Sequence, residues 1–398
     1  MTTQTELLEI IANGENSGVE FKRDDVRAQD LAKELVAFSN LEGGVLILGV
    51  EDNGTITGLT RDNLEEWVMN VCRDKIRPPI NPFFEVLCGV KDNLDVATVR
   101  VTSGYNTHVL WHNNTNRYLI RVGSQTREAS PEELERLFQQ RGSIQAELRP
   151  VSGTTLANLD QRRLRNYFGE IRQQDLPKDE DAWRILLINT KVMTEEAVTV
   201  GGMLLFGLMP NRFLPHAGID AVAFSGTVQD YNAQERTKLL GPMAPLLDKG
   251  NNLIESSIVE QALDFVQRNT RVVIETQGGR RVERPVYPPD ALREAIVNAL
   301  IHRDYLLTST DIQLTVYSNR LEILSPGRLP NGITPDSMRF GTRSTRNELL
   351  KDVMRDYRYM EHMGMGVPRK IILGMREHNG SEPDLIEQDE RFLVRLHA

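Results

Sequence analysis

The chain has 398 residues, more than one ordinary core accommodates, so two or three domains are expected. With 40% hydrophobic and 26% charged residues it has the balance of a globular protein rather than a disordered one. A formal net charge of −9 excludes a protein that coats nucleic acid indiscriminately while leaving room for a local basic groove, and two cysteines exclude a disulfide framework or a zinc quartet.

No run approaches the roughly 20 apolar residues that span a bilayer; the longest, Val45 to Val50 and Met203 to Phe206, have the length of strands. The opening Met1-Thr-Thr-Gln-Thr-Glu lacks the basic and apolar regions of a signal peptide. A cytoplasmic location is therefore expected, with Cys72 and Cys88 as reduced, partly buried thiols and no membrane partner.

In chain order, Leu7, Leu8 and Ile11 predict a short amphipathic helix over 3–13, and Val19-Glu20-Phe21-Lys22 alternates as a half-buried strand does. Asp30 is expected to cap a helix carrying Leu31, Leu35 and Phe38, which ends near Ser39-Asn40. Gly43-Gly44 makes a turn into a buried strand over 45–50, and Asp52-Asn53-Gly54 turns the chain back. Strands are expected at 83–90, 95–102 and 117–122, and Ser130-Pro131-Glu132-Glu133 forms a capping box for a helix to about Arg141.

This makes the first domain, 1–142, α+β. A linker at 143–155 leads to an α/β connecting domain at 156–285. There Asp160 caps a helix to about 173, a helix near 194–198 precedes Gly201-Gly202 and a strand at 203–207, a strand covers 216–226, and a long helix covers 245–268. The last domain, 286–398, is expected to hold a helix over 290–303, strands at 311–317 and 320–324, and helices near 346–355 and 365–377.

Two constellations carry chemistry. Near the N-terminus, Glu15, Glu20, Glu51 and Asp52 stand around a glycine turn and a buried strand. Carboxylates that converge there would bind a hard divalent cation, Mg2+ or Mn2+, able to orient phosphate and activate water. Spacing alone favours the plainer use of these acids in caps, turns and surface salt bridges. Basic clusters at Arg73, Lys75 and Arg77 and at Arg117, Arg121 and Arg127 offer contacts to a polyanion or ordinary solvated charge. Trp67, Trp111 and Trp183 offer base stacking or, more simply, core packing. In the last domain, Glu294, Asn298 and His302 recur every four residues on one helical face. Such a stripe suits nucleotide, with Asn298 on magnesium, Glu294 on water and His302 on phosphate, but it also suits plain surface. Gly327 follows a strand, and Gly364-Met365-Gly366 precedes a helix, where backbone N–H groups can approach phosphate or a new helix simply begins.

Gly18-Val19-Glu20-Phe21-Lys22, Ala37-Phe38-Ser39-Asn40, Gly43-Gly44 and Gly49-Val50-Glu51-Asp52 resemble the Schlafen-type AlbA-like domain, as does Tyr118 to Ser124 with Arg127-Glu128-Ala129. The resemblance implies binding of DNA or RNA through residues such as Lys22, Arg73, Lys75, Arg77, Arg121 and Arg127, in a transcriptional regulator. It also implies, for some members, a metal-dependent RNA endonuclease acting on tRNA, with Glu15, Glu20 and Asp52 as the catalytic and metal-binding trio and Glu51 as a rival for the third place.

The later pieces, Glu294 to His302, Gly327, Arg343-x-x-Arg346-Asn347 and Glu361-x-x-Gly364-x-Gly366, together with Gly201 to Gly207 and Phe213-Leu214-Pro215, resemble the histidine-kinase-type (GHKL) ATPase-like α/β sandwich of helicase-related regulators. That resemblance implies ATP held by Glu294, Asn298, His302, Gly327, Gly364 and Gly366, and a homodimer. Ser325-Pro326-Gly327 stands where that fold has an Asp-x-Gly adenine contact. A serine lacks the charge-assisted bond, so a degenerate or unusual ATP site is implied. Many such regulators carry a winged helix after this domain, and none is expected before Ala398.

Overall fold

A computed structural model describes residues 4–41, 43–103, 106–141, 145–277, 280–329, 333–341, 344–360 and 365–398, leaving aside the side chains of 140 and 272–283. The chain divides into two compact units, Met1–Ile144 and Gln145–Ala398.

In the first unit, α1 (Gln4–Asn13), β1 (Val19–Lys22), α2 (Ala28–Asn40) and β2 (Gly43–Leu48) are followed by α3 (Leu64–Lys75), β3 (Ile76–Arg77), β4 (Phe83–Lys91) and β5 (Leu94–Thr102). Then come β6 (Val109–His112), β7 (Thr115–Arg117), β8 (Leu119–Val122), β9 (Gln125–Glu128) and α4 (Pro131–Gln140). The main sheet runs β1-β2-β5-β4, with β1 parallel to β2 and the other pairs antiparallel. Residues 45–48 are apolar without alternation because both faces of β2 are covered. Leu46 and Leu48 pack with α2 residues Leu31, Leu35 and Phe38, whereas Ile47 packs with Leu7 and Ile11 of α1 and with Phe21. Gly44 allows this approach, since a Cβ there would lie 2.3 Å from the Phe38 ring.

Local details depart from the sequence expectations. Helix α2 begins at Ala28 after Arg27, so Asp30 lies in the first turn, where its carboxylate accepts from Arg27 Nε at 2.6 Å and complements the helix dipole instead of capping it. The stretch 117–122 is not one strand but breaks at Tyr118 between β7 and β8. Helix α3, unforeseen, presents Leu64, Val68, Val71 and Cys72 to the core. Burial pushes the Cys72 thiol up to about 12, while Cys88 is exposed because it sits on the outward face of β4. The capping box at Ser130 and Glu133 forms as expected.

In the second unit, α5 (Gln161–Arg165), α6 (Glu180–Asn189), α7 (Val200–Phe206) and α8 (Pro210–Phe213) precede β10 (Ile219–Ala223), β11 (Glu235–Leu239), β12 (Leu246–Leu247), β13 (Leu253–Glu255) and α9 (Ile258–Asn269). The hairpin β14 (Val272–Gln277) and β15 (Arg280–Pro285) leads to α10 (Pro289–His302), β16 (Ile312–Val316) and β17 (Arg320–Pro326). Helices α11 (Pro335–Arg339), α12 (Glu348–Asp356) and α13 (Gly374–Asn379) precede β18 (Asp384–Gln388) and β19 (Arg391–His397). One six-stranded sheet runs β11-β10-β16-β17-β19-β18, so strands from 156–285 and from 286–398 share a single core. The parallel pair is β10 with β16.

Met203 to Phe206 is helix, not strand. An apolar run this short does not reveal its own period; here Thr199 caps the turn by accepting from Gly202 N–H at 3.0 Å, and burial on all sides hides any amphipathic stripe. The expected long helix over 245–268 is instead the short pair β12 and β13 followed by α9, which starts at a capping box on Ser257 and Glu260.

Glu147 joins the start of this unit to its far end. Fully buried, it accepts Leu349 N–H at 2.8 Å and Leu350 N–H at 3.0 Å, capping α12 from 200 residues away in place of Asn347. Burial raises its carboxyl from 4.5 to about 7, against the pull of the two amides. A carboxyl that binds its proton more tightly when folded loses stability as pH rises through that window. We expect the stability advantage of the wild type over Glu147→Gln to shrink by about 3 kcal/mol between pH 4 and 8 in urea titrations. A pH-independent difference would show that the carboxyl is ionised throughout.

Candidate functional site

In the first unit β1 and the loop after β2 bring the predicted acids to one place. Lys22 Nζ donates to Glu20 Oε1 at 2.6 Å and lies 3.5 Å from Asp52 Oδ1 and 4.0 Å from Glu15 Oε1. Burial works against the Lys22 charge, but the Glu20 hydrogen bond with the attraction of Glu20, Asp52 and Glu15 overcomes it and holds the ammonium above its ordinary value. Burial, reinforced by Glu20 and Asp52, holds the Glu15 carboxyl above its ordinary value although Phe21 N–H donates to it at 2.9 Å. Glu51 turns instead toward Arg23, 3.5 Å away.

Beneath this cluster, Arg121 is wholly buried. Its guanidinium donates to Glu20 Oε2 at 2.6 Å, Glu34 Oε2 at 3.1 Å, Asn16 O at 2.8 Å and Val19 O at 3.0 Å, and lies over the Phe38 ring. Among the described residues no group of three or more His, Cys, Asp and Glu is arranged to hold a metal. A cation entering among Glu15, Glu20 and Asp52 would have to displace the Lys22 ammonium.

The expected basic contacts divide by partner. Arg121 is withdrawn from the surface because two buried carboxylates consume its charge. Arg127 chelates Glu133, Arg73 pairs with Asp74, and Lys22 is held among the acids. Arg77 is exposed and stacks on half-buried Trp111 at 3.7 Å, next in sequence but one to half-buried Lys75. Trp67 lies under Arg61 at 3.9 Å, and Trp183 is buried in the second core.

In the second unit a cleft of about 200 Å³ gathers Glu294, Asn298 and His302 of α10 with Gly327 and Gly366; Gly364 lies outside the described residues. The floor is set by strand register. Ile323 pairs with Val394 and Ser325 with Phe392, so all four share one face of the sheet below α10. Asn298 Nδ2 donates to Glu294 Oε1 at 3.3 Å, and Lys370 Nζ lies 3.9 Å from Glu294 Oε2. Gly366 is a cradle for this carboxylate: a Cβ there would sit 1.8 Å from Glu294 Oε1. Gly327 has a φ of +112°, and a Cβ would meet Arg346 Nη1 at 2.5 Å, so its role is to admit a buried guanidinium. Arg346 and Asn347 cap α10, Arg346 donating to His302 O at 2.9 Å and Asn347 to Ile301 O at 2.6 Å and Arg303 O at 3.0 Å.

Burial, with Arg346 and Lys351 nearby, pushes His302 down to about 4, so it faces the cleft as a neutral ring. Ser325 Oγ donates to Ala299 O at 2.8 Å. The spacing of the α10 stripe foretold that face. It did not reveal Lys351 and Arg355 of α12, or Phe392 and Val394 of β19, all of which line the same cleft. The one available signal is the i, i+4 placement of Lys351 and Arg355; β18 and β19 carry no sequence pattern that marks them as part of the cleft.

Residues 15–130 match the family model described as "Schlafen, AlbA_2", and residues 309–396 match that described as "Putative ATP-dependent DNA helicase recG C-terminal". The first match contains Glu15, Glu20, Asp52 and Arg121; the second contains the cleft floor and α12 but starts after α10. The two segments are thus similar to a nucleic-acid-related domain and to an ATPase-like domain respectively. No curated protein matches the chain. Fourteen chains of solved structures are similar to it; one, the crystal structure of the DIP2311 protein from Corynebacterium diphtheriae, is 22% identical, with a TM-score of 0.47 over 99% of this chain and 79% of that one. Among the described residues no helix is long and apolar enough to cross a membrane.

Removing Arg121 would take the buried guanidinium from between Glu20 and Glu34, leaving Lys22 beside the one and Lys33, at 3.7 Å, beside the other. Arg121→Gln is expected to destabilise the first unit by about 3–5 kcal/mol, read as lost hydrogen-exchange protection over residues 4–141. A change below about 1 kcal/mol, the worth of an exposed pair, would mean the three groups are solvated.

Proposed function

We propose that the chain is a nucleic-acid-binding regulator whose second unit takes an adenine nucleotide with magnesium in the cleft beneath α10. The observation that carries this reading is the convergence in one cavity of the α10 stripe, an apolar sheet floor and the α12 cations. The donor set fits the group. Ile323, Phe392 and Val394 offer apolar surface to a flat base. Ser325 gives its proton to Ala299 O, so it can meet a base only as an acceptor, which suits the adenine amino group through a neutral hydrogen bond. Lys351 and Arg355, each paired with an acid one turn earlier on α12, Glu348 and Asp352, border the cleft on the side where phosphates would lie, and the Asn298 amide oxygen with Glu294 suits the cation. The magnesium would neutralise phosphate charge when bound. His302, neutral, contributes no charge. Glu294 is held by Asn298, with Lys370 close by, which supports binding more than hydrolysis.

For the nucleic acid, Arg77 on Trp111 with Lys75 is the group least occupied by carboxylates, and an exposed guanidinium on an indole suits phosphate and base stacking alike. Two measurements test this function. ATP with magnesium is expected to raise the melting temperature of the wild type but not of Asn298→Ala or Gly366→Ala; no response in the wild type sinks the nucleotide reading. Binding to single- or double-stranded DNA or RNA is expected to weaken with salt, and Arg77→Gln to lower the log–log slope by about 1. No salt-dependent binding to any of these at low ionic strength sinks the other half.

A second reading, a metal-dependent tRNA endonuclease, is favoured by the convergence of Glu15, Glu20 and Asp52 on Lys22. Asp52, with a side chain 79% exposed, can be changed without disturbing the core. This reading expects tRNA cleavage with manganese that is lost in Asp52→Asn. Equal cleavage by both proteins, or none by either, removes it.

A further inference from the structure

A second hollow, of about 320 Å³, opens at the carboxyl ends of the parallel strands β10 and β16, between them and the end of α9. In sheets of mixed helix and strand this is where crossing connections separate and leave a crevice for ligands. Phe224 and Tyr317, the residues just beyond the two strands, stack at 5.6 Å and form one wall, with Ser225 and Ser318 following them. Arg268, Arg271 and Tyr287 line it further, as do Gln234 and the last residue, Ala398, and the lining includes no Asp or Glu side chain.

Two features of the lining are unexplained by the fold. Tyr287 is 3% exposed, and its buried hydroxyl has no hydrogen-bond partner among the described residues. Burial raises that phenol above its ordinary value, so it keeps its proton and stands as a donor. A buried donor without an acceptor is disfavoured strongly enough that a native fold usually supplies one. Arg271 is exposed and makes no ion pair with any described carboxylate, whereas its neighbour Arg268 gives Nε and Nη2 to Glu235. Thr270 turns its donor back on α9, to Val266 O, and Asn269 gives its amide to Phe265 O and to Glu235 Oε2. The carbonyl end of α9 carries about half a negative charge, and the carboxylate of Ala398 also borders the hollow, so a bound phosphate depends on Arg271 and on the Tyr287 hydroxyl to answer its charge.

We propose that this hollow binds a phosphate group, with Tyr287 and Arg271 as its donors and the serines Ser225 and Ser318 at its edge. The group is either a small phosphorylated ligand or a phosphate of a nucleic-acid strand; the chemistry that recognises it is the same. The site shares no residue with the cleft beneath α10 and does not depend on the nucleotide reading.

The test is calorimetric titration of the full chain with inorganic phosphate, alongside Arg271→Gln, Tyr287→Phe and Lys351→Gln. At least a tenfold loss of affinity is expected in the first two; Lys351→Gln, which removes a cation of the other cleft, can lose only phosphate bound there and is expected to keep the binding that Arg271→Gln and Tyr287→Phe lose. Tyr287→Phe should melt no lower than the wild type without phosphate, because it removes a hydroxyl that has no partner. A short single-stranded oligonucleotide that displaces the phosphate assigns the site to a nucleic-acid strand; failure to displace it assigns a small ligand, and both support the site. Absence of phosphate binding overturns the proposal. So does binding that survives Arg271→Gln and Tyr287→Phe, binding lost only in Lys351→Gln, or a Tyr287→Phe protein that melts well below the wild type.

Discussion

A charge taken out of water must be met by an opposite charge or by hydrogen bonds, because the solvation it loses is worth more than packing alone returns. Each unit of this protein is organised around groups that meet this condition over long stretches of sequence. Arg121 arrives from β8 to stand between Glu20 of β1 and Glu34 of α2. Glu147 crosses to the amides of Leu349 and Leu350, and Arg346 and Asn347 close the carbonyl end of α10. These groups hold in register the elements that carry the candidate sites: β1 with its acids, and α10 with its polar stripe.

The two constellations differ in what this organisation leaves available. In the first unit the acids Glu15, Glu20, Asp52 and Glu34 are met by Lys22 at the surface and Arg121 below, so the cluster is compact and only partly neutralised. In the second unit an aliphatic and aromatic floor meets a wall of Glu294 and Asn298 and a border of Lys351 and Arg355. An apolar recess with few polar groups, each held by its neighbours, is the usual composition of a small-molecule site. Gly366 shows how tightly it is made, since even a methyl group would collide with the Glu294 carboxylate.

Much of the fold was legible because its signals are local. The Ser130 capping box, the Asp160 cap and the i, i+4 stripe of α10 each act within a few residues, and each forms, whereas Gly43 and Gly44, expected to turn the chain, are the first residues of β2 itself. Errors arose where burial erased the period. Met203 to Phe206 is apolar on every side, a pattern that strand and buried helix share, and Asp30 meets the general preference of a cap without occupying the cap position. β18 and β19 escaped notice although β19 supplies half the cleft floor, because its pattern acquires meaning only beside β17.

The sequence by itself determined the α+β class, the acids and arginines of the opening motif, and the alignment of Glu294, Asn298 and His302, because these depend on helix and strand geometry over short distances. The tertiary structure alone decided that Arg121 is an internal counter-charge rather than a surface contact, and that Lys22 sits among the acids. It also decided that α12 and β19 complete the cleft and that Tyr287 is buried without a partner. Burial and the pairing of charges far apart in the chain are properties of the packed molecule, and no spacing rule contains them.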